Sequence, residues 1–376
     1  SLVSRGGQDL ALGTPSPGWR QQRGAARGAL ARAAGQLRPL LRRQAETLCE
    51  ELRSHGGAPV DPFEVFAFHT CSTISHLLFG DLGPGQSEGS SYGIHMPQVL
   101  PNPGLQELLR LVKHRDAFVE AQIRRHEVRG VRGIWVGITL SPQDCSSPPG
   151  DTVLAALQGR DPNVRGGPLS PPRLHMALVD LFIGGTETTA AALAWAIAFL
   201  LHRPELQEQL RAELWRELGP SDTLEVGDTG RLPLLHATIT ETLRLRPPAP
   251  LALPHCALRD TSVGGIPVAA GSILIPNLLA AHQDPETWHH PEAFLPERFL
   301  APGAPWRALM PFGCGARSCL GEGLARAELF VFLGCILREF RLEPPGPGLL
   351  PCLEVSAGTV LRCPPFRVCM VPCQPP

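Results

Sequence analysis

Neither sign of charge dominates this sequence: 34 Lys plus Arg stand against 35 Asp plus Glu over 376 residues. A chain so close to neutral has no broad field to attract a polyanion, so no nucleic-acid partner is expected. Its eleven cysteines include no CxxC pair, which argues against a structural zinc site. Eleven is also odd, so they cannot all pair within one chain. Free thiols in a reducing compartment fit better than a secreted disulfide scaffold. The opening SLVSRGGQDLALG lacks a basic and then apolar leader, so no signal peptide is expected. No internal repeat is visible. The run 177–201 has the length of a bilayer span, but Asp180, Glu187 and Gly184-Gly185 fall in its first half. Ionisable groups at membrane depth are costly, so this run reads as a long helix buried in a large core.

Helical periodicity is the main positive signal. It marks 28–53, where Pro39 is expected to kink or divide the helix, and then 62–78 and 105–127. Two stretches lose all period and fill with turn formers, 80–103 and 129–172. Further on, Pro204 opens and Gly219 closes a helix with a leucine stripe, and Pro233 opens another that ends at Pro247-Pro248. The segment 265–276 reads as a hairpin turning near Ala270-Gly271. Residues 321–340 form a final helix before a proline-rich, strand-like tail. The expectation is a mainly α protein with small β sheets, in one domain.

The most specific feature is the run 311–322, PFGCGARSCLGE, which holds Phe312, Gly315, Arg317, Cys319 and Gly321 at fixed spacing. Glycines permit the close backbone path that a loop needs beside a flat ligand. Cys319 just precedes a helix, whose positive end favours thiolate over thiol. An axial thiolate on haem iron promotes O–O cleavage. Arg317 can bond a haem propionate, and Phe312 can keep water from the sulfur.

Three more motifs precede that loop. Glu241 and Arg244 share a helix face at i,i+3, and Arg298 in 294–299, FLPERF, can add a second guanidinium to the same carboxylate. Gly184-Gly185-Thr186-Glu187-Thr188-Thr189 suggests either a locally opened helix at a functional site or a core helix whose Thr hydroxyls bond their own backbone. His282, His289 and His290 are close in sequence, but adjacent rings rarely converge on one ion, so they read as polar loop residues.

Together the Cys loop, the ExxR, the PERF segment and the GGTETT helix resemble the cytochrome P-450 superfamily, and within it a steroid-hydroxylating branch. VDLFIGGTETTA, PLALPH and IPNLLAAH carry that closer resemblance. It implies haem b as cofactor, with Cys319 as the axial ligand to iron. Arg317, His255 and Arg23 (in Trp19-Arg20-Gln21-Gln22-Arg23) would contact propionates. Thr188 and Glu187 would deliver protons to dioxygen, and Arg115 would hold the ring-A ketone of a steroid. Arg115 could equally be a solvated arginine on a charged helix face. The implied activity is C21 hydroxylation of progesterone and 17-hydroxyprogesterone, with electrons from NADPH through a flavoprotein reductase at the endoplasmic reticulum membrane. The alternatives are another steroid or xenobiotic monooxygenase, or a truncated, inactive product. Against the family pattern, the fold is expected to be incomplete at the N-terminus, without the anchor and first sheet. The stretch 80–103 stands where a helix over the substrate pocket belongs, and 129–149 reads as inserted.

Overall fold

The computed structural model describes residues 4–80, 105–135, 152–160, 167–219, 223–355 and 358–373. Nine α-helices occur in these parts: α1 (Pro17–Ser54), α2 (Pro62–Phe79), α3 (Leu105–Trp135), α4 (Val153–Leu157), α5 (Pro171–Leu201), α6 (Pro204–Leu218), α7 (Pro233–Leu245), α8 (Leu278–His282) and α9 (Glu322–Glu339). Six short strands accompany them: β1 (His255–Cys256), β2 (Thr261–Val263), β3 (Ile266–Val268), β4 (Ile273–Leu274), β5 (Phe340–Glu343) and β6 (Cys369–Pro372). The strands pair antiparallel as β1–β4, β2–β3 and β5–β6, the last in the register Phe340↔Pro372 to Glu343↔Cys369. The fold is mainly α with small β sheets.

Local chemistry explains where the helices begin. Ser16 Oγ accepts the Trp19 amide at 3.1 Å, and Asp61 Oδ1 accepts that of Phe63 at 2.9 Å. In both helices proline fills the first turn, where a missing N–H costs nothing. Gly219, at φ 65°, ends α6, a left-handed conformation that glycine adopts without strain.

α5 organises the packing. Its second half joins one core through Leu193, Ile197 and Leu200, with leucines of α1, α6 and α7 and with Phe330 and Leu333 of α9. Its first half joins a second core through Leu174, Leu178 and Phe182, with α2, α3 and α4. Each such buried side chain contributes roughly 1.5–3 kcal/mol. Between the two cores, residues 183–188 of α5 lie open or only half-covered. At Gly185 a Cβ would come within 2.9–3.3 Å of Ile74, so glycine is what lets α2 lie against α5 there.

Several sequence expectations need correction. α1 starts at Pro17 and runs through Pro39 undivided; burial of Ala29 and Ala33 before it and of Leu40, Leu41 and Leu48 after it outweighs one lost backbone bond. α3 extends to Trp135, into the stretch read as irregular from 129. Inside that same stretch lies α4, capped by Thr152 Oγ1 on the Ala155 amide at 3.1 Å, with all five residues buried. Five residues are too few to show a period, and packing forms this helix. The rest of the irregular readings, 81–103, 136–151 and 161–166, lies outside the described residues. The hairpin is β2–β3, turning at Gly264-Gly265, both with positive φ. The bend at Gly271 instead returns β4 to pair with β1. α5 is long and apolar enough to span a membrane, but it is mostly buried within the protein.

Candidate active site

The Cys loop is built by glycines and closed by one amide. Gly313 (φ 67°) turns the chain, its N–H bonding Met310 O at 3.0 Å; Gly315 (φ 70°) opens the 3-10 turn Gly315–Arg317. The Cys319 amide then donates back to Phe312 O at 2.9 Å, so the ring and the thiol come to the same loop. Gly321, at φ −91°, needs no special conformation and caps α9; Gly313 does need one, and the motif spacing did not single it out. Phe312 packs against the larger core and lies under the Arg326 guanidinium at 4.8 Å.

Cys319 is crowded by protein yet exposed at its own surface, and surface access decides that a ligand can reach the sulfur. Burial raises the pKa of its thiol, and the Glu322 carboxylate adds to that. The Gly321 and Glu322 amides and the Arg23 cation pull the other way without prevailing. The helix terminus therefore helps the thiolate, as its position implies, but does not by itself make one; a metal cation at the sulfur would.

Two arginines flank the loop. Arg23 Nη2 donates to Ser318 O at 2.5 Å, and its Nε is buried with no partner. Arg317 stacks on Trp19 at 3.9 Å and donates to the carbonyls of Leu10 (3.1 Å), Ala11 (3.4 Å) and Gly13 (2.5 Å). A guanidinium has five N–H donors, so these bonds fix Arg317 and leave two for an anion. His255 lies on the exposed strand β1, opposite Leu274, and no contact among the described residues joins it to the loop.

On α5, Thr188 Oγ1 donates to Gly184 O at 2.7 Å and Thr186 Oγ1 to Phe182 O at 2.8 Å. The helix is unbroken, with its hydroxyls turned onto its own backbone. Glu187 meets Arg362, which the sequence did not suggest: Nε and Nη2 of Arg362 both reach Glu187 Oε1, at 2.7 and 2.5 Å.

Arg115 does not sit on a solvated face. Its side chain is 13% exposed and grips Asp116 through Nε (2.9 Å) and Nη2 (2.7 Å). Asp116 also accepts from Arg5 and lies 3.2 Å from His175 Nε2. Burial alone would raise the Asp116 pKa, but the bonds from Arg115, His175 and Arg5 outweigh it and hold the carboxyl below its usual range. Nearby, burial lifts Asp180 to about 7, opposed by the Leu10 amide that donates to it.

Glu241, Arg244 and Arg298 come together. Arg244 donates from Nε to Glu241 Oε2 (2.7 Å) and from Nη2 to Oε1 (2.9 Å), while Arg298 Nε reaches the same Oε1 at 3.1 Å. Glu241 and Arg244 are wholly buried. His282 uses both ring nitrogens on the backbone, Nδ1 with Arg244 O at 3.1 Å and Nε2 with the Met310 amide at 2.9 Å. The His289 and His290 rings touch each other at the surface.

A reachable cysteine at a helix start, with a phenyl ring and two partly unspent arginines beside it, suits an axial iron ligand and makes haem-thiolate oxygenases the class to consider. The chain belongs to the cytochrome P450 family, whose model, "Cytochrome P450", matches residues 2–370. Among curated relatives it is 42% identical to the steroid 21-hydroxylase of Canis lupus and 41% identical to that of Homo sapiens. Each match takes in 99% of this chain and 78% of the relative. It is similar in structure to a zebra fish cytochrome P450 solved with progesterone, at TM-score 0.84 and 31% identity over 99% of this chain and 86% of that one. A zebra fish cytochrome P450 solved with abiraterone gives TM-score 0.82, 32% identity and coverage of 99% and 85%. The chain is therefore a haem-thiolate monooxygenase, and the family implies haem. The residues present fit that group: an accessible thiol with amide donors on it, and an orphaned buried N–H on Arg23 beside it.

Proposed function

We propose that the chain works as a single-domain steroid 21-monooxygenase, taking progesterone and 17-hydroxyprogesterone as substrates. The observation that carries this reading is the 40–43% identity, across nearly the whole chain, to relatives named steroid 21-hydroxylase. Electrons come from NADPH through a cytochrome P-450 reductase at the endoplasmic reticulum membrane. Attachment there does not use α5, which is mostly buried inside the protein.

Haem b, when bound, would supply dioxygen activation, and a thiolate ligand would add electron density to it. The chain's own residues do the rest. Cys319 gives the thiolate, and Phe312 covers one side of it against water. Arg317 offers its two unspent N–H donors to a propionate, and Arg23 offers its orphaned Nε. His255, on an open strand, is a third partner. Thr188 and Glu187 lie on the open stretch of α5, where a hydroxyl and a carboxyl can pass protons. Arg115, steered by Asp116, donates to the ketone of an otherwise apolar steroid; burial supplies affinity and the polar contact sets orientation. Glu241, Arg244 and Arg298 act structurally, tying α7 to the segment before the Cys loop.

The test is reconstitution with the reductase, NADPH and progesterone, followed by product identification. Hydroxylation at C21 is expected. Hydroxylation only at other carbons would overturn the assignment.

A further inference from the structure

The pair Glu187–Arg362 joins the open middle of α5 to the C-terminal segment, 175 residues away. Both side chains are about four-fifths covered, 19% and 20% exposed. Arg362 is held directly by one ring and through the backbone of its neighbour Leu361. Its guanidinium lies 4.5 Å over the Phe63 ring, the Leu361 amide donates to Pro248 O at 2.8 Å, and Leu361 O accepts the Trp195 indole N–H at 2.8 Å. Trp195 belongs to α5 itself, eight residues beyond Glu187 and so about 12 Å along the helix. The segment that presents Arg362 is thus pinned to the helix that presents Glu187.

The way the two meet is informative. Arg362 places both of its bonds on one oxygen, Oε1. The other oxygen, Oε2, takes no hydrogen bond from any described residue. A plain structural tie would gain most from a parallel fork across both oxygens. Here one oxygen is anchored and its twin is left to exchange a proton.

We propose that Arg362 is a positioning residue for proton delivery: it holds the Glu187 carboxylate through Oε1 and so presents Oε2 as the proton-carrying atom. In each transfer an O–H bond of solvent breaks as one forms at Oε2. That proton is then passed on toward the oxygen being reduced, and Glu187 returns to a carboxylate held by Arg362. The inference rests on reading Glu187 as a proton carrier.

The test uses the full-length holoenzyme with its reductase and four variants: Arg362→Met, Arg362→Lys, Glu187→Gln and the double variant Arg362→Met/Glu187→Gln. The thermal midpoint of the ferric protein should fall less in the double variant than the two single losses combined, and the steroid-induced spectral shift should stay at its wild-type amplitude. Product formed per NADPH should fall roughly tenfold in Arg362→Met, a part of the ~10²–10⁴ that a positioned acid or base supplies. Its solvent deuterium isotope effect should rise, and Arg362→Lys should recover much of the coupling. In the Glu187→Gln background, Arg362→Met should change coupling no further. If Glu187→Gln uncouples the enzyme and Arg362→Met does not, Arg362 is only a structural tie. If Glu187→Gln leaves coupling intact, the proton-carrier reading falls, and the inference with it.

Discussion

Arg244→Ala should prevent stable haem incorporation rather than slow turnover. All five guanidinium N–H groups are in use. Two bond Glu241, at 2.7 and 2.9 Å, and the others bond the carbonyls of His282 (2.6 Å), Pro291 (2.8 Å) and Ala293 (3.2 Å). Among the described residues, removing them leaves Glu241, wholly buried, with only Arg298 Nε at 3.1 Å and the Leu295 amide at 2.9 Å. An under-paired buried charge costs about 3–5 kcal/mol. Each carbonyl stripped of its donor adds about 1–3 kcal/mol unless water reaches it. A domain holds only about 5–15 kcal/mol in total, so the loss takes much of it. The damage also travels toward the site, because His282 bonds Arg244 O through Nδ1 and the Met310 amide through Nε2. Arg244→Lys should rescue little, since one ammonium cannot span five separated acceptors. The assay is haem per protein after purification, together with the thermal midpoint. Normal haem content and an unchanged midpoint in Arg244→Ala would refute this reasoning.

Three further outcomes follow from the same geometry. Burial holds His282 down to about 4, against an unfolded value near 6.5, so it folds neutral. Its stabilisation is complete above about pH 6.5 and is lost as the pH falls toward 4; it amounts to about 3 kcal/mol. Unfolding midpoints across that window should flatten in His282→Asn, and an unaltered slope would reject it. Thr188→Ala should keep haem and steroid binding while more NADPH ends as peroxide; unchanged coupling would remove Thr188 from the relay. Arg115→Ala should weaken steroid binding about ten- to a hundredfold, the worth of roughly 1.5–3 kcal/mol for a charged donor to a buried ketone. Asp116→Asn should give part of that loss by freeing the guanidinium. Equal titrations for wild type and Arg115→Ala would return Arg115 to a structural role.

What was legible in the sequence is what repeats or clusters locally. The leucine stripe of α6, its opening Pro204 and its closing Gly219 lie within sixteen residues, and the helix follows them. The Cys loop likewise carries its glycines, ring, arginine and thiol in one run. The ExxR and PERF arginines are 54 residues apart, and a single carboxylate able to take two guanidinium groups made their meeting foreseeable. Pairing without such a motif was not legible. Nothing near Arg362 marks it as the partner of Glu187, and nothing in residues 10–13 marks their carbonyls as acceptors for Arg317. α4 was hidden because five apolar residues fit strand, helix or loop until Thr152 and the surrounding core select one. The thiol of Cys319 was misjudged in degree, because burial acts over all neighbours in space while the helix start is visible in the chain.

The central claim is that Cys319 is the axial ligand of a haem in this chain. The carbon monoxide difference spectrum of the dithionite-reduced protein tests it most directly. Wild type should show the red-shifted Soret band peculiar to thiolate ligation, and Cys319→Ser should lose it. A thiolate-type band that survives in Cys319→Ser, or a haem-loaded wild type that never shows one, would contradict the account.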